Sequence, residues 1–386
     1  MESLDAFARA KLAALEQRSL RRTLAETTRL EGPWVERDGR RLLSFCCNDY
    51  LNLSMHPTVV AASVEATRQY GVGAGGSRLV TGNHPLYGAL EARLARLKGT
   101  EDACVFGSGY LANTGIIPAL AGKDDLLLVD ELAHACIWTG VALSGGTILR
   151  IRHNDAAHAA DLLEGARARH RHAVILTETV FSMDGDLAPL AELAALAERH
   201  DAWLMTDDAH GIGVLGGGRG GVHAGERPAQ VPLQMGTLSK AIGAYGGYLC
   251  ASRPVIDLIR TRARTLIYAT GLPPGTVAAA IAALDLIAAD PAYAALPVRK
   301  ARLFTRLLGL PEAASPIVPL ILGEAPAALA ASRLLAEAGF LVSAIRPPTV
   351  PEGTSRLRFT FTARHSDEAI TRLADLVRER ILGAGI

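Results

Sequence analysis

Ala202-Trp203-Leu204-Met205-Thr206-Asp207-Asp208-Ala209-His210-Gly211 sets two acids and a histidine directly behind an apolar run. The run follows an amphipathic stretch, Pro189 to His200, and holds no turn residue, so it reads as a buried parallel strand entered from a helix. Open α/β sheets place their ligand crevice at the carboxyl ends of their strands. Asp207, Asp208 and His210 are therefore expected at such a crevice. Taken alone, Asp-Asp-Ala-His also fits a helix cap with a polar loop.

The same form recurs along the chain. Ala173 to Thr177 leads into Glu178-Thr179-Val180-Phe181-Ser182, which puts Glu178 and Ser182 on the same crevice. Ala103 to Phe106 precedes Gly107-Ser108-Gly109-Tyr110-Leu111-Ala112-Asn113, a glycine turn feeding a helix start. Backbone N–H groups there lack intrahelical partners and form a ready phosphate site. Leu126 to Asp130 runs into Glu131-Leu132-Ala133-His134, whose histidine suits stacking on an aromatic cofactor or, as an isolated loop residue, the surface. Five such strands predict one shared site.

The fifth is Val231 to Met235, followed by Gly236-Thr237-Leu238-Ser239-Lys240. Lys240 is one of five lysines and sits among small residues, where desolvation lowers an amine's pKa. A neutral amine there can form a Schiff base with an aldehyde cofactor such as pyridoxal phosphate; the alternative is a tight turn with a surface lysine. That cofactor needs a carboxylate against its pyridinium nitrogen, for which Asp207 is the first candidate, and His210 suits its phenolic oxygen. Asp207 and Lys240 lie 33 residues apart, enough for a connection and one strand, so they can end adjacent strands.

Taken with Asn48-Asp49-Tyr50-Leu51, Gly75-Gly76-Ser77-Arg78-Leu79-Val80-Thr81-Gly82 and Phe181-Ser182-Met183-Asp184-Gly185-Asp186, these motifs make the chain similar to the α-oxoamine synthase family of fold-type-I pyridoxal phosphate enzymes. The similarity runs nearly end to end. Ala344 to Pro351 and Arg356 to Phe359 resemble the branch that joins L-alanine to a pimeloyl thioester in biotin biosynthesis. The resemblance implies that Lys240 holds the cofactor and acts as general base, and that Asp207 keeps the ring protonated. It implies that His134 covers the ring, that Ser182 and His210 hold its phenolic side, and that Ser108, Gly109, Tyr110, Glu178 and Thr237 complete the cofactor site. Arg358, Asn48 and His134 would take the alanine, and Arg21 and Thr349 the acyl donor, carried on coenzyme A or an acyl carrier protein. Thr270 would reach the cofactor phosphate of a partner subunit, which implies a homodimer with shared sites. Tyr87 stands where relatives often have histidine, and no role is attached to it. Sister synthases using glycine, serine or aminobutyrate are the nearest alternative, since one methyl group discriminates weakly. A catalytically silent scaffold subunit is the alternative from another class, and Lys240, Asp207 and His210 together speak against it.

Composition sets limits. A net charge of +1 argues against nucleic acid or an anionic membrane as the main partner. Five cysteines, with Cys46 and Cys47 adjacent, do not make a disulfide framework, so a reducing cytoplasm is expected. Glu2 to Glu16 reads as an amphipathic helix rather than a leader, and no run reaches membrane-spanning length. No metal site is expected.

The 386 residues are read in three parts. Residues 1–55 give an N-terminal helix and an extended segment, and residues 56–285 a large cofactor-binding domain with a mainly parallel sheet between helices. Residues 286–386 give a smaller C-terminal α/β domain. Gly71-Val72-Gly73-Ala74-Gly75-Gly76 matches the dinucleotide fingerprint G-x-G-x-x-G but lacks the required strand before it and helix after it. A nicotinamide dehydrogenase is therefore set aside.

Overall fold

The computed structural model describes residues 2–383. Met1 and residues 384–386, the outer ends of the first and last expected segments, lie outside the described residues.

The chain divides into two units, Asn48–Val298 and the combination of Met1–Cys47 with Arg299–Ile386. The N-terminal segment is thus part of the C-terminal unit instead of a body of its own. Backbone pairing is the reason. Arg40–Ser44 takes Phe340–Leu341 as a parallel neighbour, with Leu43 opposite Phe340 and Ser44 opposite Leu341. The Phe45 carbonyl then accepts from the Thr360 N–H at 2.7 Å.

The Asn48–Val298 unit is built on seven strands: β1 (Asp102–Phe106), β2 (Leu126–Asp130), β3 (Thr147–Ile151), β4 (Ala173–Glu178), β5 (Trp203–Asp207), β6 (Leu233–Thr237) and β7 (Gly247–Ala251). Their spatial order is β1-β7-β6-β5-β4-β2-β3. Only β7 runs against the others, antiparallel to both β1 and β6. The carboxyl ends of β1, β2, β4, β5 and β6 therefore share one edge.

Successive side chains on these strands enter opposite cores. Leu127, Val129, Val174, Leu176 and Met205 pack with the Gly109–Leu120, Ala135–Ser144 and Arg253–Arg262 helices. Leu126, Leu128, Ala173, Ile175 and Leu204 pack with the Ala156–Ala166 and Leu190–Arg199 helices. A strand buried on both faces must be apolar at every position, which is why these runs show no alternation in the sequence.

β6 begins two residues later than Val231 and extends through Gly236 to Thr237. Pro232 has no N–H to give a ladder, whereas Gly236 and Thr237 pair with Tyr248 and Gly247. Gly247 must be glycine, because a Cβ there would stand 2.4 Å from the Ser108 carbonyl oxygen. The Gly71–Gly76 run follows the Pro57–Tyr70 helix and has turns and bends but no strand around it.

In the other unit, Thr28–Arg29, Trp34–Arg37, Arg40–Ser44 and Phe340–Leu341 form one small sheet in that order. Ile317–Gly323, Ser355–Thr360 and Ser343–Ile345 form another, antiparallel throughout. Phe45, Phe304, Phe359 and Phe361 fill its core. The Glu2–Gln17 helix buries none of its residues, and Leu4 and Phe7 on it are exposed. Among the described residues no single helix is long and apolar enough to cross a membrane.

Candidate active site

Register at the carboxyl edge sets Glu178 opposite Asp207 and Asp207 opposite Met235. Asp207 thus ends the strand beside the one that feeds Lys240, as the spacing allowed. Lys240 Nζ lies 2.8 Å from His210 Nε2. His210 Nδ1 lies 2.7 Å from Tyr50 Oη, and Tyr50 Oη donates to Asn48 Oδ1 at 3.2 Å. His210 thus links Lys240 through Nε2 to Tyr50 through Nδ1.

Asp207 is buried, and both of its oxygens are held. Oδ1 accepts from the Ala209 N–H at 2.9 Å and Oδ2 from Asn113 Nδ2 at 2.8 Å. The same Asn113 nitrogen lies 3.1 Å from Cys136 Sγ, which lies 2.9 Å from His134 Nδ1. His134 caps the Ala135–Ser144 helix by accepting from the Cys136 N–H. Burial lowers its pKa, Asp207 pulls the other way, and Lys240 lowers it further. A neutral ring with Nδ1 as acceptor results.

Asp208 points elsewhere. Its Oδ2 meets Lys98 Nζ at 2.6 Å and its Oδ1 accepts from Thr179 Oγ1 and the Gly221 N–H. Burial, and next the charge of Asp207, push the Glu178 carboxyl well above the ordinary carboxylate range. Its Oε1 is buried without a protein partner.

Ser108 caps the Gly109–Leu120 helix, its Oγ accepting from the Leu111 N–H at 3.1 Å. A Cβ on Gly109 would come within 3.3 Å of Thr237 Cβ, so this helix start and the end of β6 form one narrow cradle. Thr237 Oγ1 donates to the Gly246 carbonyl at 2.7 Å and lies 2.8 Å from Ser239 Oγ. Tyr110 is half exposed with Oη 3.1 Å from Thr139 Oγ1, and Ser182 is buried. Thr270 is exposed and bridges Ser77. Tyr87, given no role from the sequence, is a brace: its buried Oη accepts from the Leu272 N–H, and Arg78 stacks 4.0 Å over its ring.

Arg21, Thr349 and Arg358 belong to the other unit. Arg21 and Thr349 line one cavity of about 590 Å³ with Arg22, Arg346, Leu329 and Ile345. Within it Arg22, not Arg21, donates to Thr349 Oγ1, at 2.9 Å. Arg21 pairs with Glu16 at 2.8 Å. Arg358 is buried in the Ser355–Thr360 strand, opposite Pro319 and Ser343.

The class I and II aminotransferase model matches residues 40–377. Proteins named 8-amino-7-oxononanoate synthase from Granulibacter bethesdensis and Beijerinckia indica are 64% and 63% identical, over 98% of this chain and 98% of each relative. The chain belongs to the class I and II aminotransferase family, among the 8-amino-7-oxononanoate synthases. Serine palmitoyltransferase from S. paucimobilis, solved with a bound PLP–myriocin aldimine, superposes with a TM-score of 0.92 at 28% identity, covering 99% of this chain and 98% of that one. The fold is the fold-type-I α/β architecture, the protein is an acyltransferase, and its cofactor is pyridoxal 5′-phosphate. The site fits that group. The Gly109–Thr237 cradle suits its phosphate, and the carboxyl edge beside it holds a lysine, a fixed carboxylate and a buried acid with one unpartnered oxygen.

Three members of this constellation were not assigned from the sequence. Tyr50 stands inside a motif quoted for the resemblance, Asn113 inside the glycine turn and helix start, and Ser239 inside the lysine loop. The signal for Asn113 was its position four residues after Gly109, on the same helix face.

Proposed function

We propose that the protein condenses L-alanine with a pimeloyl thioester, on coenzyme A or an acyl carrier protein, to give 8-amino-7-oxononanoate, carbon dioxide and the free thiol. The observation that carries this reading is the Lys240–His210–Tyr50–Asn48 chain standing beside Asp207 in a chain with such relatives. When bound, pyridoxal phosphate supplies an electron sink for the alanine Cα.

Lys240 and the Ser108–Tyr110 turn with Thr237 would hold the cofactor, and Asp207 would hold the proton on its ring nitrogen. Lys240 Nζ takes the Cα proton, with His210 Nε2 as its rest partner. The Cα electron pair forms a C–C bond to the thioester carbonyl, and the C–S bond breaks with release of the thiolate. The alanine carboxylate then leaves as carbon dioxide, and a proton returned to Cα completes the product. His134, neutral by burial, covers the ring face and helps exclude water. Asn48, Arg358 and His134 are assigned to alanine, with Arg358 forming a two-pronged ion pair to its carboxylate. Arg21 and Thr349 are assigned to the acyl donor, and the cavity they share with Arg22 and Arg346 suits an anionic end.

Exposed Val72, Leu79, Val80, Tyr245 and Tyr268 support a homodimer in which Thr270 reaches the partner's phosphate. A cytoplasmic biosynthetic enzyme fits this chemistry. The test is product mass from purified protein given a panel of amino acids against pimeloyl, acetyl and succinyl thioesters. Preference for alanine with pimeloyl supports the reading. Preference for glycine or serine, or for a shorter acyl group, replaces it with a sister synthase.

A further inference from the structure

His153 follows β3 and is used by none of the steps above. Its Nδ1 lies 3.0 Å from Asp130 Oδ1 and its Nε2 2.8 Å from Asp186 Oδ2. Ionised carboxylates only accept, so both ring nitrogens must donate and the ring must be an imidazolium. Burial works against that charge, and the hydrogen bonds to Asp130 and Asp186 outweigh it, raising the pKa to about 10.

Each acid belongs to a turn that carries a site residue. Asp130 ends β2; its Oδ1 also accepts from the Leu132 N–H at 2.9 Å, and its carbonyl accepts from the Ala133 N–H at 3.0 Å, which shapes the turn leading to His134. Asp186 closes the Ser182 turn, its carbonyl accepting from the Phe181 N–H at 3.1 Å. The His153 ring stands edge-on to Phe181 at 4.4 Å and 89°. Asn154, in the left-handed region at φ 55°, ties the same two carboxylates: its N–H donates to Asp130 Oδ2 and its amide to Asp186 Oδ2. An asparagine tolerates that backbone where most residues do not.

We propose that His153 is a positioning residue, a single cation that locks the His134 turn and the Ser182 turn into one rigid rim and acts on the cofactor through them. This rests on the reading that His134 and Ser182 flank the cofactor. Removing it takes the charged tie from both turns at once, with Asn154 and the backbone bonds still holding each, and leaves Lys240, Asp207 and His210 in place.

The test compares native protein with His153→Ala, both loaded with pyridoxal phosphate, by the visible circular dichroism of the cofactor, its dissociation constant and the kinetics. The expected result is an altered dichroism signal and kcat lower by on the order of ten- to a hundredfold, from loosened positioning. KM for the pimeloyl thioester should stay within about twofold. Added imidazole should restore part of the dichroism, which a merely structural lesion would not show. If the alanine variant does not fold, the same readouts on His153→Gln decide, because the amide keeps one hydrogen bond and loses the charge. A folded variant with dichroism, affinity and kcat unchanged overturns the proposal. Native cofactor trapped on a lysine other than Lys240 would instead sink the underlying site reading, so the two failures are separable.

Discussion

Lys98 places its ammonium 2.6 Å from Asp208 Oδ2 with both side chains fully out of solvent. That pair spends Asp208 on structure and leaves its neighbour Asp207, held by Asn113 and the Ala209 N–H, facing the site. The two adjacent acids should separate cleanly. Asp208→Asn strands a buried ammonium and should cost about 3–5 kcal/mol of stability. Asp207→Asn should keep the melting temperature nearly unchanged and slow Cα-proton exchange of alanine by orders of magnitude. Denaturant titration and deuterium exchange at alanine Cα check the pair; a silent Asp207→Asn would remove it from the cofactor.

Tyr50→Phe removes the hydroxyl that stands 2.7 Å from His210 Nδ1. An unmade buried hydrogen bond costs about 1–3 kcal/mol, so kcat should fall by roughly ten- to a hundredfold if His210 reorients. Cofactor stoichiometry should stay at native level. Steady-state kinetics with absorbance of the bound cofactor measures both, and an unchanged kcat would show that His210 is held without the phenol.

Arg22 donates to Thr349 Oγ1, whereas the sequence named Arg21 and Thr349 for the acyl donor. Arg22→Ala and Arg21→Ala should each raise KM for the pimeloyl thioester and leave KM for alanine nearly constant, Arg22→Ala the more strongly. Equal rises for both substrates would make the cluster structural.

His365 stacks on Phe45 at 3.9 Å, accepts from the Thr362 N–H and lies 3.0 Å from the Ser44 carbonyl. Burial pushes its pKa down to about 3. The folded unit therefore holds it neutral while the unfolded chain protonates it near its ordinary 6.5. Its contribution is complete above pH 6.5 and is lost as pH falls toward 3, at up to about 1.4 kcal/mol per pH unit. The protection factor of the Thr360 amide, whose N–H bonds Phe45, should fall on acidification in the native protein. The loss of protection should be smaller in His365→Asn; identical protection-factor profiles would contradict the role of His365.

The strands at the site were legible because burial on both faces leaves an unbroken apolar run with a polar stop, and the polar stops are the site. That pattern put Asp207 and Lys240 at strand ends and allowed, without requiring, that the strands be adjacent. The junction of the N-terminal segment with the last hundred residues was not legible, since Leu43 and Phe340 carry no mark of each other. Likewise the division of labour between Asp207 and Asp208 depends on Lys98, a residue more than a hundred positions upstream whose burial no local pattern announces. The start of β6 was misjudged because Val231-Pro232 is apolar, and proline's missing N–H excludes it from the ladder.

Borohydride reduction of the native protein with pyridoxal phosphate, followed by peptide mapping, tests the central claim most directly. Five lysines compete: Lys11 and Lys123 are exposed, Lys98 is buried against Asp208, Lys300 is buried with its ammonium on the His365 carbonyl, and Lys240 faces His210. The account predicts one pyridoxyl group per chain, on Lys240, and none in Lys240→Ala. Stoichiometric label on any other lysine, or undiminished labelling of Lys240→Ala, would contradict it.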